Sequence, residues 1–132
     1  VQPAHALDDR DLVEGLWRHQ QAIRYPLAAL LTAGIPVRFG SDAPVAPLDP
    51  WATIAAAVHR TDDDRAPWHP EERVDIDQAL RASSRHGEAS IELGSVADLV
   101  LCGMDPRTAD REELRRMPVA ATILGGRPTF RA

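Results

Sequence analysis

The chain has 132 residues, enough for one ordinary domain, and its composition, 44% hydrophobic and 27% charged, is that of a globular protein. A net charge of -5 argues against nucleic acid as the main partner, because phosphate binding needs a basic surface. No apolar run approaches the ~20 residues that span a bilayer, so no membrane partner is expected.

Val1-Gln2-Pro3-Ala4-His5 reads as the end of a strand entering a loop. The chain starts there without a Met, which points to a piece of a longer protein. Asp8 or Asp9 is placed to cap a helix reaching Trp17. A second helix is expected from Pro26, with Leu27, Leu30 and Leu31 on its apolar face and Gly34 as its stop. Ile35 to Gly40 follows as a short strand, with Ser41-Asp42 at its C-terminal end. Pro44, Pro47 and Pro50 make the next stretch a loop. Asp49 then caps a buried helix that has Pro50 at its first position and runs to about Arg60. Thr61 to Glu72 is polar, carries Asp62-Asp63-Asp64, and reads as an exposed excursion with no function of its own.

Asp75 and Gln78 have capping-box spacing for a helix through about Arg85. Beyond Gly87 the character changes. Val96 to Leu101 and Val119 to Leu124 are rich in β-branched and aliphatic residues and read as strands. Asp110 and Glu113 cap a short helix between them, and Gly125-Gly126 turns the chain into a last strand, Pro128 to Arg131. The order is that of an α/β fold: a βα segment over residues 1–90, then a β-rich tail over 91–132. Two strands cannot close a barrel or bury their own faces, so further sequence is expected around them.

Asp42 is the strongest candidate for chemistry. A carboxylate at the C-terminal end of a barrel strand can contact a divalent cation or take a proton from water; equally, it could merely cap the following turn. His5, at the end of the other expected strand, could contact substrate or shuttle protons, although a lone His is more often structural. His59 reads as a helix residue, and His69 as part of a surface turn or a lid. His19 and His86 have no supporting context. There is no HxH, HExxH or CxxC spacing, no nucleophile elbow and no P-loop. All 15 basic residues are Arg, so no carboxylated lysine comes from this segment. Cys102 is the only cysteine and reads as a buried small hydrophobe; nothing demands an oxidising compartment, and a cytoplasmic protein is expected.

Several stretches, taken in order, resemble the amidohydrolase 3 family. They are Gln2-Pro3-Ala4-His5, Tyr25-Pro26-Leu27, Phe39-Gly40-Ser41-Asp42-Ala43-Pro44, Trp68-His69-Pro70-Glu71-Glu72-Arg73, Gly94-Ser95-Val96-Ala97-Asp98-Leu99, and the Gly125-Gly126-Arg127 turn. The resemblance implies the C-terminal part of a TIM-like (βα)8 barrel, followed by strands of a small β-sandwich. It implies a metal-dependent hydrolase, with zinc the expected divalent metal, cleaving C–N bonds of the non-peptide amide type in a small-molecule substrate. Asp42 matches the aspartate after the eighth barrel strand, which contacts the metal and acts as general base. His5 matches a pocket-facing position after the seventh strand and is a candidate substrate contact. The other metal ligands of the family belong to earlier strands, so the chain alone is expected to bind no zinc tightly and to be inactive. The stretch from Ser83 to Gly94 is shorter than the family's. The alternative is a truncated, non-catalytic relic or interaction module with the same fold, and assembly into an oligomer stays open.

Overall fold

The computed structural model describes residues 1–20, 22 and 24–132. Its helices are α1 (His5–Asp8), α2 (Arg10–Leu16), α3 (Leu27–Thr32), α4 (Pro50–His59), α5 (Ile76–Ser83) and α6 (Arg111–Arg115). A 3-10 turn covers Pro70–Glu72, and the strands are β1 (Leu99–Cys102), β2 (Val119–Leu124) and β3 (Arg127–Arg131).

Local chemistry accounts for most of these ends. The Asp49 carboxylate accepts from the amides of Trp51 and Ala52, both at 3.0 Å, and Pro50 occupies a first-turn position whose N–H has no partner in any helix. Asp75 with Gln78, and Asp110 with Glu113, close reciprocal capping boxes at the starts of α5 and α6. Helix α3 ends in a Schellman pattern, in which the amides of Gly34 and Ile35 reach back to Leu31 and Leu30. Gly34 can adopt the left-handed conformation this requires, at φ 73°.

Of the strand end expected over Val1–His5, only a single bridge at Val1 is present; a turn at Pro3-Ala4 follows at once and leads into a helix. The amides of His5 and Ala6 turn back onto the carbonyls of Gln2 and Pro3, and α1 begins at His5. Neither Asp8 nor Asp9 caps with its side chain, because Asp9 is drawn away to Tyr25. Residues 35–40 are extended but belong to no ladder. One pairing survives: the Val1 nitrogen donates to Arg38 O at 2.9 Å, and Gly40 N donates to Val1 O at 3.0 Å. Those two slanted bonds are the pattern of a parallel bridge between Val1 and Phe39.

The main core gathers Leu27, Ile54, Ala55, Ala57, Val74 and Ala79 with Leu114 and Met117 of the tail. The tail is therefore docked on the first part through α6, which packs on α4. Gly87 closes the short link between the two parts against Arg38, so tightly that a Cβ there would lie 2.5 Å from its guanidinium. The excursion over 61–72 is exposed at Asp62, Asp64, Arg65, Ala66, Pro70 and Glu71 but anchored by buried Thr61, Trp68 and Glu72, and Trp68 forms a second cluster with Ala6, Val13 and Tyr25. The tail sheet has the order β1-β2-β3 and is antiparallel throughout, with Leu99 opposite Ile123 and Thr122 opposite Phe130. Gly125 and Gly126, both at positive φ, form the two-residue hairpin turn joining β2 and β3. The strands end within a few residues of the expected limits, except that β1 starts at Leu99 rather than Val96.

Candidate functional site

The bridge between Val1 and Phe39 sets two chain segments side by side, running the same way. Four residues after Val1 comes His5; three residues after Phe39 comes Asp42. Both side chains therefore emerge at the same end, and His5 Nε2 lies 3.5 Å from Asp42 Oδ2. The other ring nitrogen, Nδ1, stands 3.8 Å from Asp8 Oδ2, so the imidazole sits between two carboxylates. The His5 side chain is 19% exposed and that of Asp42 56% exposed, which leaves the carboxylate open on one side.

Asp42 holds a left-handed backbone, φ 60°, unusual for a residue with a Cβ. Its carbonyl accepts from Val45 N at 2.9 Å, and Ser41 Oγ accepts from Ala43 N at 3.2 Å. The turn therefore satisfies its own backbone while the Asp42 side chain caps none of it. A cavity of about 350 Å³ is lined by Ala4, Asp8 and Ala46 among others; it takes in Asp8, which faces His5 Nδ1, but neither His5 nor Asp42 lines it. A larger cavity, about 700 Å³, lies elsewhere, between Trp17, Trp68 and His69, and neither His5 nor Asp42 lines it.

As donors to a metal, His5 and Asp42 offer one imidazole nitrogen and one carboxylate, whereas a catalytic zinc takes three protein ligands. Among the described residues no group of three or more His, Cys, Asp or Glu side chains is arranged to hold a metal. The other histidines stand apart. His69 Nδ1 pairs with Glu71 at 2.8 Å, and His86 Nε2 with Asp98 at 3.3 Å. The His59 ring is held below its usual basicity, first by burial and then by Arg73. Burial likewise raises the Cys102 thiol, as expected of a half-buried apolar sulfur.

Three further residues make contacts that the sequence reading did not assign to them. Arg60 is fully buried. Its Nε donates to Trp68 O at 2.9 Å and its Nη1 to Tyr25 O at 3.4 Å, while Nη2 has no partner among the described residues. Burial lowers its guanidinium's basicity, opposed most strongly by the Glu72 carboxylate. Tyr25 OH donates to Asp9 Oδ2 at 2.6 Å, and burial together with that bond pushes its phenol well above the usual range. An arginine at a helix C-terminus ordinarily reads as a solvated cap, so no local signal marks Arg60.

The amidohydrolase family model matches residues 1–130. Similar curated proteins include the N-substituted formamide deformylase of Arthrobacter pascens. It is 34% identical over 126 residues, which cover 86% of this chain and 23% of that protein. The Protein LONG AFTER FAR-RED 3 of Arabidopsis thaliana is 31% identical over 143 aligned positions, covering 98% of this chain and 24% of that protein. The chain thus spans about a quarter of the length of the curated relatives it matches. No solved structure matches it.

Proposed function

This chain belongs to the amidohydrolase family, and we propose that it is the portion of a metal-dependent amidohydrolase that supplies the carboxylate at the reacting centre. The observation that carries this reading is the juxtaposition of His5 and Asp42 at 3.5 Å, at the common end of two parallel segments. Residues 1–90 are read as the last two strands and helices of a TIM-like barrel, with the Val1–Phe39 bridge as the remnant of the pairing between those strands. Residues 91–132 are read as part of a small β-sandwich. The substrate class proposed is a small molecule with a non-peptide amide C–N bond; the name of the Arthrobacter relative supports N-substituted formamides as the first to try.

Amide hydrolysis adds water across the carbonyl, breaks the C–N bond and protonates the departing nitrogen. Asp42 takes the proton from the attacking water and returns it to the nitrogen, roles that need an ionised, partly solvated carboxylate. His5 Nε2 faces the same side chain, where it orients the carboxylate and meets the substrate. A divalent cation, zinc in this proposal, would polarise the carbonyl and acidify the attacking water when bound. Asp42 would be one of its contacts, and the remaining ligands would come from residues outside these 132. By the same argument the 132-residue chain alone holds no stoichiometric zinc and hydrolyses nothing.

The test uses the whole protein, with elemental analysis for metal and hydrolysis of N-substituted formamides. Asp42→Asn keeps the shape but removes the basic oxygen, and kcat is expected to fall by ~10²–10⁴. Full activity in that variant refutes the role.

A further inference from the structure

Helix α1 is only four residues long, far short of what is stable alone, so its direction depends on what grips its two ends. At the front, Val1 is bonded to Arg38 and Gly40. At the back sits Asp9, the single residue between α1 and α2; its amide donates to His5 O at 2.9 Å and its carbonyl accepts from Val13 N at 2.8 Å. The Asp9 side chain stands where it would ordinarily cap α2, yet it makes no such bond. Instead it accepts from the Tyr25 hydroxyl at 2.6 Å, across 16 residues of sequence.

Tyr25 is itself firmly held. Its backbone is left-handed, φ 50°, and its carbonyl accepts from Leu27 N at 2.9 Å and from the buried Arg60. Its ring lies 5.9 Å from that of Trp68. We propose that Tyr25 is a positioning residue: by holding Asp9, its hydroxyl fixes the direction of α1 and so keeps the His5 imidazole beside Asp42. This inference rests on the reading of Asp42 and His5 given above. The 3.5 Å gap between those two groups already exceeds a hydrogen bond, so a small rotation of α1 decides whether they face each other at all. Without the hydroxyl, the Asp9 carboxylate is free to turn onto the first amides of α2, and α1 turns with it.

The experiment compares wild type, Tyr25→Phe, His5→Ala and the double variant of the whole protein on an N-substituted formamide. Tyr25→Phe is expected to lower kcat by ~10–100-fold with KM unchanged, and to cost nothing further once His5 is Ala. A purely structural role would make the two losses multiply, and that result, or an unchanged kcat in Tyr25→Phe, overturns the proposal. Asp9→Ala removes the same bond from the other side and is expected to reproduce the effect; a folded Asp9→Ala protein with full kcat also overturns it. Should the wild type hydrolyse no formamide, the enzymatic reading fails separately. The positioning is then judged by the His5 ring cross-peak in a ¹H–¹³C NMR spectrum: a shift in Tyr25→Phe upholds it, and an unmoved peak sinks it.

Discussion

Arg60→Met is the substitution that best probes how this chain is held together. The side chain is fully buried, so methionine keeps most of the stem's packing and removes only the guanidinium. Three consequences compete. The charge-assisted bond to Trp68 O at 2.9 Å is lost, worth ~1.5–3 kcal/mol, together with a weaker one to Tyr25 O at 3.4 Å. Glu72, 5% exposed, loses its nearest buried cation, and an uncompensated buried charge costs ~3–5 kcal/mol at most. Against this, the unpartnered Nη2 disappears, relieving ~1–3 kcal/mol, and a charge is no longer desolvated. Glu72 keeps its bond from Ala29 N at 3.0 Å, which tempers the second cost. The expected net loss is ~2–3 kcal/mol, read by urea denaturation followed through Trp68 fluorescence. Arg60→Lys is expected to lose nearly as much, because a point charge cannot serve two carbonyls from one fork. Adding Glu72→Gln to Arg60→Met is expected to restore ~1–2 kcal/mol. If Arg60→Met is as stable as wild type, or more so, the guanidinium is a burden rather than a tie, and the account of the Tyr25–Trp68 region built on it is wrong.

Leu114, 1% exposed, joins the tail to the core of α4, so Leu114→Ala is expected to cost ~2–5 kcal/mol by chemical denaturation. A cost near zero would mean that the tail does not share that core. The Asp98 carboxyl is held below its usual range, first by the Gly125 amide at 2.7 Å and then by His86. Its stabilising effect is therefore present above the unfolded value of ~3.9 and lost as pH falls through the lower folded value. Asp98→Asn is expected to flatten the melting temperature over that acid window, and an unchanged pH profile would show that the hairpin turn does not depend on the charge.

What could be read from the residues was what nearest neighbours decide. The capping pairs Asp75/Gln78 and Asp110/Glu113, the Asp49-Pro50 start of α4, and the Gly125-Gly126 hairpin are local grammar, and each lies where its spacing put it. The strand end expected at residues 1–5 is reduced to one bridge at Val1. Pro3 has no amide to give a ladder, and the amides of His5, Ala6 and Leu7 find acceptors three residues back. The buried anchors of the otherwise exposed excursion have a non-local cause: Trp68 meets Ala6 and Val13, more than fifty positions away, and an acidic composition says nothing about that. Of the candidate site, Asp42 and His5 were legible because each stands just after a stretch whose sequence reads as a strand. Tyr25, Asp9 and Arg60 were not, since each contributes through a bond to a distant main-chain or side-chain oxygen.

This division separates what the chain can do alone from what it cannot. The approach of His5 to Asp42 is set by contacts wholly inside these residues: Val1 with Arg38 and Gly40, and Tyr25 with Asp9. It therefore needs no metal to form. Metal affinity, by contrast, grows with ligand number, and the pair falls short of a catalytic set. In the proposed enzyme, substitutions along the Tyr25–Asp9–His5 line should thus change turnover while leaving metal content intact. In the proposed enzyme, a positioning network built from protein contacts would present the carboxylate to its water already oriented, and that pre-arrangement would be the source of its catalytic advantage.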